Sequence, residues 1–150
     1  MDLRADGLLL VEDDPNDVLL IRYAFRRANL TMPMGVVSNG DEAVDYLSGC
    51  GKYTDRETYP LPSLILLDLK LPCRSGLEVL TWLRSQPGLR RIPVVMLTSS
   101  GECRDIDSAY DAGASSYLVK PVTLTSLESM IAALCSYWLE ENCYPCTTGR

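Results

Sequence analysis

The sequence predicts an α/β fold: an open sheet of five parallel strands in the order 2-1-3-4-5, doubly wound, with five helices. Three observations lead there. Short apolar runs recur along the chain, several of them apolar throughout, as strands buried on both faces are. Segments with helical spacing separate the runs. Strand-helix alternation of this kind places helices on both faces of a parallel sheet, and right-handed crossovers leave few topologies. The 150 residues are read as one domain, with a core from about 7 to 139 and a short tail over 140–150.

The strands are LLLV (8–11), a fainter MGVV (34–37), LILL (64–67), VVML (94–97) and YLV (117–119). The first helix opens at Asp14-Pro15, an N-cap followed by proline at the first helical position. It carries Val18, Leu19 and Phe25 on an apolar face. A second helix is expected from about Asp41 to Leu47, and a third from Leu77 to Leu83, stopped by Gln86-Pro87-Gly88. The fourth runs from about Arg104 to Ala112 and ends at Gly113, a C′ glycine. In the fifth, Leu127, Ile131, Leu134 and Trp138 form one stripe. The irregular piece is Gly49 to Pro62, GCGKYTDRETYPLP, read as a solvated insertion or a partner-docking loop.

Composition removes several classes of function. The net charge of −6 without a basic stripe argues against nucleic-acid binding. No apolar run is long enough to cross a bilayer, and MDLRADG lacks the pattern of a signal peptide, so a cytoplasmic protein is expected. The absence of histidine removes the commonest general base and most zinc and haem sites. Six scattered cysteines are then read as reduced thiols, and Cys143-Tyr144-Pro145-Cys146 as an incidental tail feature.

The chemistry stands at the strand ends. LLLV is followed by Glu12-Asp13-Asp14, LILL by Asp68, VVML by Thr98-Ser99-Ser100 and YLV by Lys120-Pro121. In a parallel sheet these ends emerge on one edge, where open α/β folds bind ligands. Two bare carboxylates about 4 Å apart repel by roughly 4 kcal/mol at an effective dielectric near 20, so the acids call for a cation. Few, oxygen-only ligands suit Mg²⁺. Lys120 supplies a second positive charge and Thr98 a hydroxyl. Together they read as a phosphoryl-transfer site in which Asp68 is the nucleophile, Asp13 and Asp68 hold Mg²⁺, and Lys120 grips the phosphoryl oxygens. A carboxylate ordinarily ionised at neutral pH needs no general base, which suits a chain without histidine.

With LLLVEDDP, LILLDLKLP, VVMLTSS and YLVKP, the sequence resembles the receiver domain of two-component response regulators from about Leu8 to Trp138. Pro72 and Gly76 match that family's turn after the acceptor. The resemblance implies a phosphoryl group passed to Asp68 from a sensor histidine kinase or a histidine phosphotransfer protein. It implies Mg²⁺ held by Asp13, Asp68 and the backbone carbonyl of Lys70, with Glu12 acting largely through water. Thr98 and Tyr117 would be the switch pair, altering the face of the fourth helix, fifth strand and fifth helix. Lys70 and Ser100 flank the site and would tune dephosphorylation. The DLKLP turn and the long loop resemble stand-alone receivers that serve phytochrome kinases, implying a phytochrome-type donor and homodimerisation through that face and the C-terminal tail.

Only twelve residues follow Trp138, so no output domain is expected and an unknown downstream protein would read the changed surface. Of the apolar surplus there, Tyr137, Leu139 and Tyr144 are read as local packing or as a dimer contact. Three rivals are weighed. A haloacid-dehalogenase-like phosphohydrolase would carry a second acid two residues after the nucleophile, where Lys70 stands. A scaffold receiver without phosphotransfer would lack site residues that are present here. A flavodoxin-like cofactor binder would need a phosphate loop after the first strand, where three acids would repel it.

Overall fold

The computed structural model describes residues 6–145, so Cys146 and the TTGR end lie outside the described residues, as does most of the N-terminal stretch read for a signal peptide. Five strands, β1 (Leu8–Val11), β2 (Met34–Val37), β3 (Leu64–Leu67), β4 (Val94–Thr98) and β5 (Ser116–Val119), pair in parallel in the order β2-β1-β3-β4-β5. Between and after them run α1 (Pro15–Arg27), α2 (Gly40–Ser48), α3 (Gly76–Ser85), α4 (Cys103–Asp111) and α5 (Leu124–Leu134). The expected order and element types are those observed, with helix ends displaced by one to three residues.

Side chains alternate across the sheet, as a two-residue period requires. Leu9, Val11, Ile65 and Leu67 face α2 and α3, meeting Ala43, Leu47, Val79 and Leu80. Leu8, Leu10, Leu64 and Leu66 face α1 and α5, meeting Ile21, Phe25, Leu127 and Ile131. β1, β3 and β4 are wholly buried, whereas edge strand β2 is half-buried, which is why MGVV carries the weakest apolar signal. Local chemistry sets the helix starts. Asp14 accepts from the amide of Asn16 ahead of α1, Asn39 from that of Glu42 ahead of α2, and Ser75 forms a reciprocal capping box with Glu78 on α3.

Two segments depart from expectation. After Leu134 the last helix widens into a π-helical stretch over Cys135–Glu141, with the Asn142 amide donating to the Tyr137 carbonyl. Trp138 still packs on the core through this wider turn, and the Tyr144 hydroxyl donates to its carbonyl at 2.6 Å. Tyr144 and Leu139 are therefore spent on local packing, while Tyr137 stays 55% exposed. The 49–62 segment is not merely solvated. A 3-10 turn, Gly51–Tyr53, places Tyr53 against Tyr46 and Tyr59, all three rings within 6.0 Å of one another. Arg56 fastens it by donating to the carbonyls of Tyr46, Leu47 and Tyr59 at 2.7–3.2 Å.

Candidate functional site

The register brings the strand ends level. Val11 lies beside Leu67, and Thr98 beside Val119, so Glu12 and Asp68 emerge as neighbours and Lys120 follows one residue past Thr98. The ladder continues over this rim: the amides of Glu12, Asp68 and Lys120 donate to the carbonyls of Val37, Val11 and Thr98. Backbone that would otherwise be loose is thereby fixed under the functional side chains. The turn after Asp68 is held from two sides. A side chain on Gly76 would bring its Cβ within 2.1 Å of the Asp68 carbonyl oxygen, and one on Gly40 within 1.9 Å of that of Arg74. Glycine at both positions lets α2 and α3 press against the acceptor turn.

Carboxylate oxygens of Glu12, Asp13 and Asp68 lie within 4.8 Å of one another. Glu12 is 2% exposed and Asp68 8%, whereas Asp13 is exposed. Three hard oxygen donors at one edge, with Asp13 open to water, fit a hydrated divalent cation of the Mg²⁺ class. Asp68 accepts from the Leu69 amide through Oδ1 at 2.7 Å and from the Lys120 ammonium through Oδ2 at 3.0 Å. Lys120 also donates to Glu12 and, at 2.9 Å, to Oδ2 of Asp17.

Burial, and then the nearby Asp68 charge, push the Glu12 carboxyl up, while Lys120 and the Asp14 amide pull it down; the balance leaves it at about 7. Burial works against the charged form of Lys120, but the hydrogen bonds to Glu12, Asp17 and Asp68 outweigh it and hold the ammonium above the ordinary lysine value. The site therefore keeps its cation and is crowded with negative charge.

Each residue singled out in the sequence is now placed. Glu12, Asp13, Asp68 and Lys120 come together. Thr98 is buried at the end of β4, level with them. Tyr117 is half-buried on β5 and donates to the Ser100 carbonyl at 2.8 Å, while the Ser100 hydroxyl bonds Asp105 in the first turn of α4. Lys70 is exposed in the acceptor turn. Among the described cysteines, Cys50, Cys73, Cys103 and Cys143 are exposed thiols and Cys135 is buried. Asp17 was missed. An acid in the first turn of a helix reads as a partner for the helix dipole, and nothing local reveals a bond to a lysine 103 residues away. Among the described residues no helix is long and apolar enough to cross a membrane.

Comparison with known proteins points to one family. The response regulator receiver domain family matches residues 8–132. Response regulator Rcp1 of Synechocystis sp. is 36% identical over 138 residues, covering 92% of each chain. Its Mn²⁺-bound crystal structure superposes with a TM-score of 0.85 over 94% of this chain and 99% of its own. The phosphorylated cyanobacterial phytochrome response regulator RcpA, 38% identical, gives 0.84 over the same shares. The bacteriophytochrome response regulator RtBRR is 44% identical, with a TM-score of 0.74 over 97% of this chain and 86% of its own. These relatives are signalling regulators rather than enzymes, which sets the phosphohydrolase rival aside.

Proposed function

The chain belongs to the response regulator receiver domain family, and from that premise we propose that Asp68 accepts a phosphoryl group in an Mg²⁺-dependent reaction. The observation that carries the proposal is the convergence of Glu12, Asp13 and Asp68 on one oxygen-lined corner with the Lys120 ammonium on Asp68. An Asp68 oxygen attacks phosphorus as the P–N bond of a phosphohistidine donor breaks, and the leaving imidazole nitrogen takes up a proton. Lys120 exchanges its bond to Asp68 for phosphoryl oxygens, and Thr98 offers its hydroxyl to another. Asp13, Asp68 and the Lys70 carbonyl would hold the metal, with Glu12 acting on it largely through water while also accepting from Lys120. When bound, Mg²⁺ supplies positive charge that offsets the charge gathering on the transferring group.

The donor is a sensor histidine kinase of the phytochrome type or a histidine phosphotransfer protein, in keeping with relatives described as phytochrome and bacteriophytochrome response regulators. The output is a changed α4–β5–α5 surface. Tyr117 ties β5 to the Ser100 carbonyl just before α4, so movement of Thr98 toward the phosphoryl group reaches that surface through a single hydrogen bond. Tyr110, Val119, Leu124 and Tyr137 are exposed apolar groups on α4, β5, α5 and the π turn, suited to a homodimer or a downstream protein in the cytoplasm.

The test is phosphorylation by acetyl phosphate, followed by intact mass. Wild type should gain one phosphoryl group only with Mg²⁺ present, and Asp68→Asn none. No adduct on wild type under either condition would leave the phosphorylation-independent scaffold as the better description.

A further inference from the structure

An ammonium has three protons to donate, and in Lys120 all three are committed, to Glu12, Asp17 and Asp68. Two of these acceptors belong to the corner that would hold the metal; Asp17 does not. It sits in the first turn of α1, on Lys120 but outside the Glu12–Asp13–Asp68 group, with its side chain one-third exposed. Taking Asp68 as the phospho-acceptor, the fates of the three bonds differ. Phosphorylation converts the Asp68 oxygen into part of an acyl phosphate, so that bond must be exchanged. A cation at the corner draws on the same carboxylates as Lys120 does. Only the Asp17 bond is touched by neither event.

We propose that Asp17 is a positioning residue for Lys120, one that keeps part of the ammonium for itself and thereby weakens the site's grip on the phosphoryl group. A phosphoryl group presents three oxygens carrying nearly two negative charges. Each N–H that stays on Asp17 is one not given to those oxygens, and the Asp17 charge offsets part of the pull of the same ammonium. Asp17 also adds to the negative field at the corner, which favours a divalent cation. Its removal therefore acts with opposite signs on the two ligands: the phosphoryl group is held more tightly and Mg²⁺ slightly less so.

Beryllium trifluoride, a tetrahedral mimic of a phosphoryl group on a carboxylate, reads this directly. Calorimetric titrations would compare wild type, Asp17→Asn, Lys120→Gln and the double variant, first with Mg²⁺ alone and then with the fluoride in Mg²⁺-saturated protein. Asp17→Asn should bind the fluoride roughly two- to fivefold more tightly, the span of a partly exposed charge interaction, and Mg²⁺ no better than wild type. In the Lys120→Gln background the gain should vanish, because the effect passes through the ammonium. Unchanged or weaker fluoride binding in Asp17→Asn, weakening of both ligands by a general fold defect, or a gain that persists without Lys120 would each overturn the proposal. Failure of the wild type itself to bind the fluoride would instead strike Asp68 as acceptor.

Discussion

At the ends of β1, β3 and β5, Glu12, Asp17 and Asp68 gather about the ammonium of Lys120, with Asp13 beside Glu12 and Asp68. At the opposite rim, where β1 and β2 begin and the 49–62 segment folds over, Arg56 meets three backbone carbonyls and three tyrosine rings pack edge-to-face and tilted against one another. Both rims bury polar groups, but the second satisfies them from within the chain. The first leaves an excess of negative charge that a metal and a phosphoryl group would alter. Stability is spread over one end of the sheet, and responsiveness is concentrated at the other, where burial holds Glu12 at about 7.

The largest effect should come from removing the ammonium. Lys120→Met leaves buried Glu12 and Asp68 without their counter-ion, a change expected to cost about 3 kcal/mol in metal-free protein. Saturating Mg²⁺ should recover a large part of that loss, because the emptied corner binds the cation more strongly and binding to the folded state adds stability. Urea melts with and without Mg²⁺ measure both. An equal loss in the two conditions would break the contrast between the rims.

Arg56→Ala, at the other rim, strands the carbonyls of Tyr46, Leu47 and Tyr59 and should cost about 2 kcal/mol. Here Mg²⁺ should make no difference, and acetyl phosphate should label the variant as fast as wild type. A smaller effect of opposite sign is expected of Asp68→Asn. Relieving one of the crowded charges should raise metal-free stability by about 1 kcal/mol while abolishing the phosphoryl adduct. A destabilised Asp68→Asn would mean that the bond to Lys120 outweighs the crowding.

How much of this could be read from sequence follows the same division. β1, β3 and β4 were legible because strands covered on both faces need unbroken apolar runs. The acids, the hydroxyl and the lysine at their ends were legible because a parallel sheet delivers all those ends to one edge. What stayed hidden depends on long side chains crossing between elements. Asp17 reaches Lys120 from α1, and Arg56 reaches back to carbonyls of α2 from a loop that looks merely polar. The π turn after Leu134 was hidden for a related reason. The spacing of Leu127, Ile131, Leu134 and Trp138 suits an ordinary helix, and the wider turn shows only in backbone bonds such as that from the Asn142 amide to the Tyr137 carbonyl five residues back.

The finest distinction between the rims lies in how each responds to pH. Burial, and then the charge of Glu42, which also accepts its hydrogen bond at 3.2 Å, push the Tyr53 hydroxyl up to about 12. Below pH 10 the phenol is neutral both folded and unfolded, so its titration contributes nothing there. From pH 10 upward the unfolded chain loses the proton first, and stability falls until the folded hydroxyl ionises near pH 12. Tyr53→Phe removes both the hydrogen bond and the titration. It should therefore be less stable than wild type by under about 1 kcal/mol at neutral pH, with the gap closing and then reversing as pH rises from 10 toward 12. Urea melts of the pair at three pH values decide it, and a gap that stays constant would place Tyr53 in a wetter setting than the packed rings suggest. Tyr53→Phe should respond to Mg²⁺ as wild type does, because this rim completes its polar bonds without a ligand.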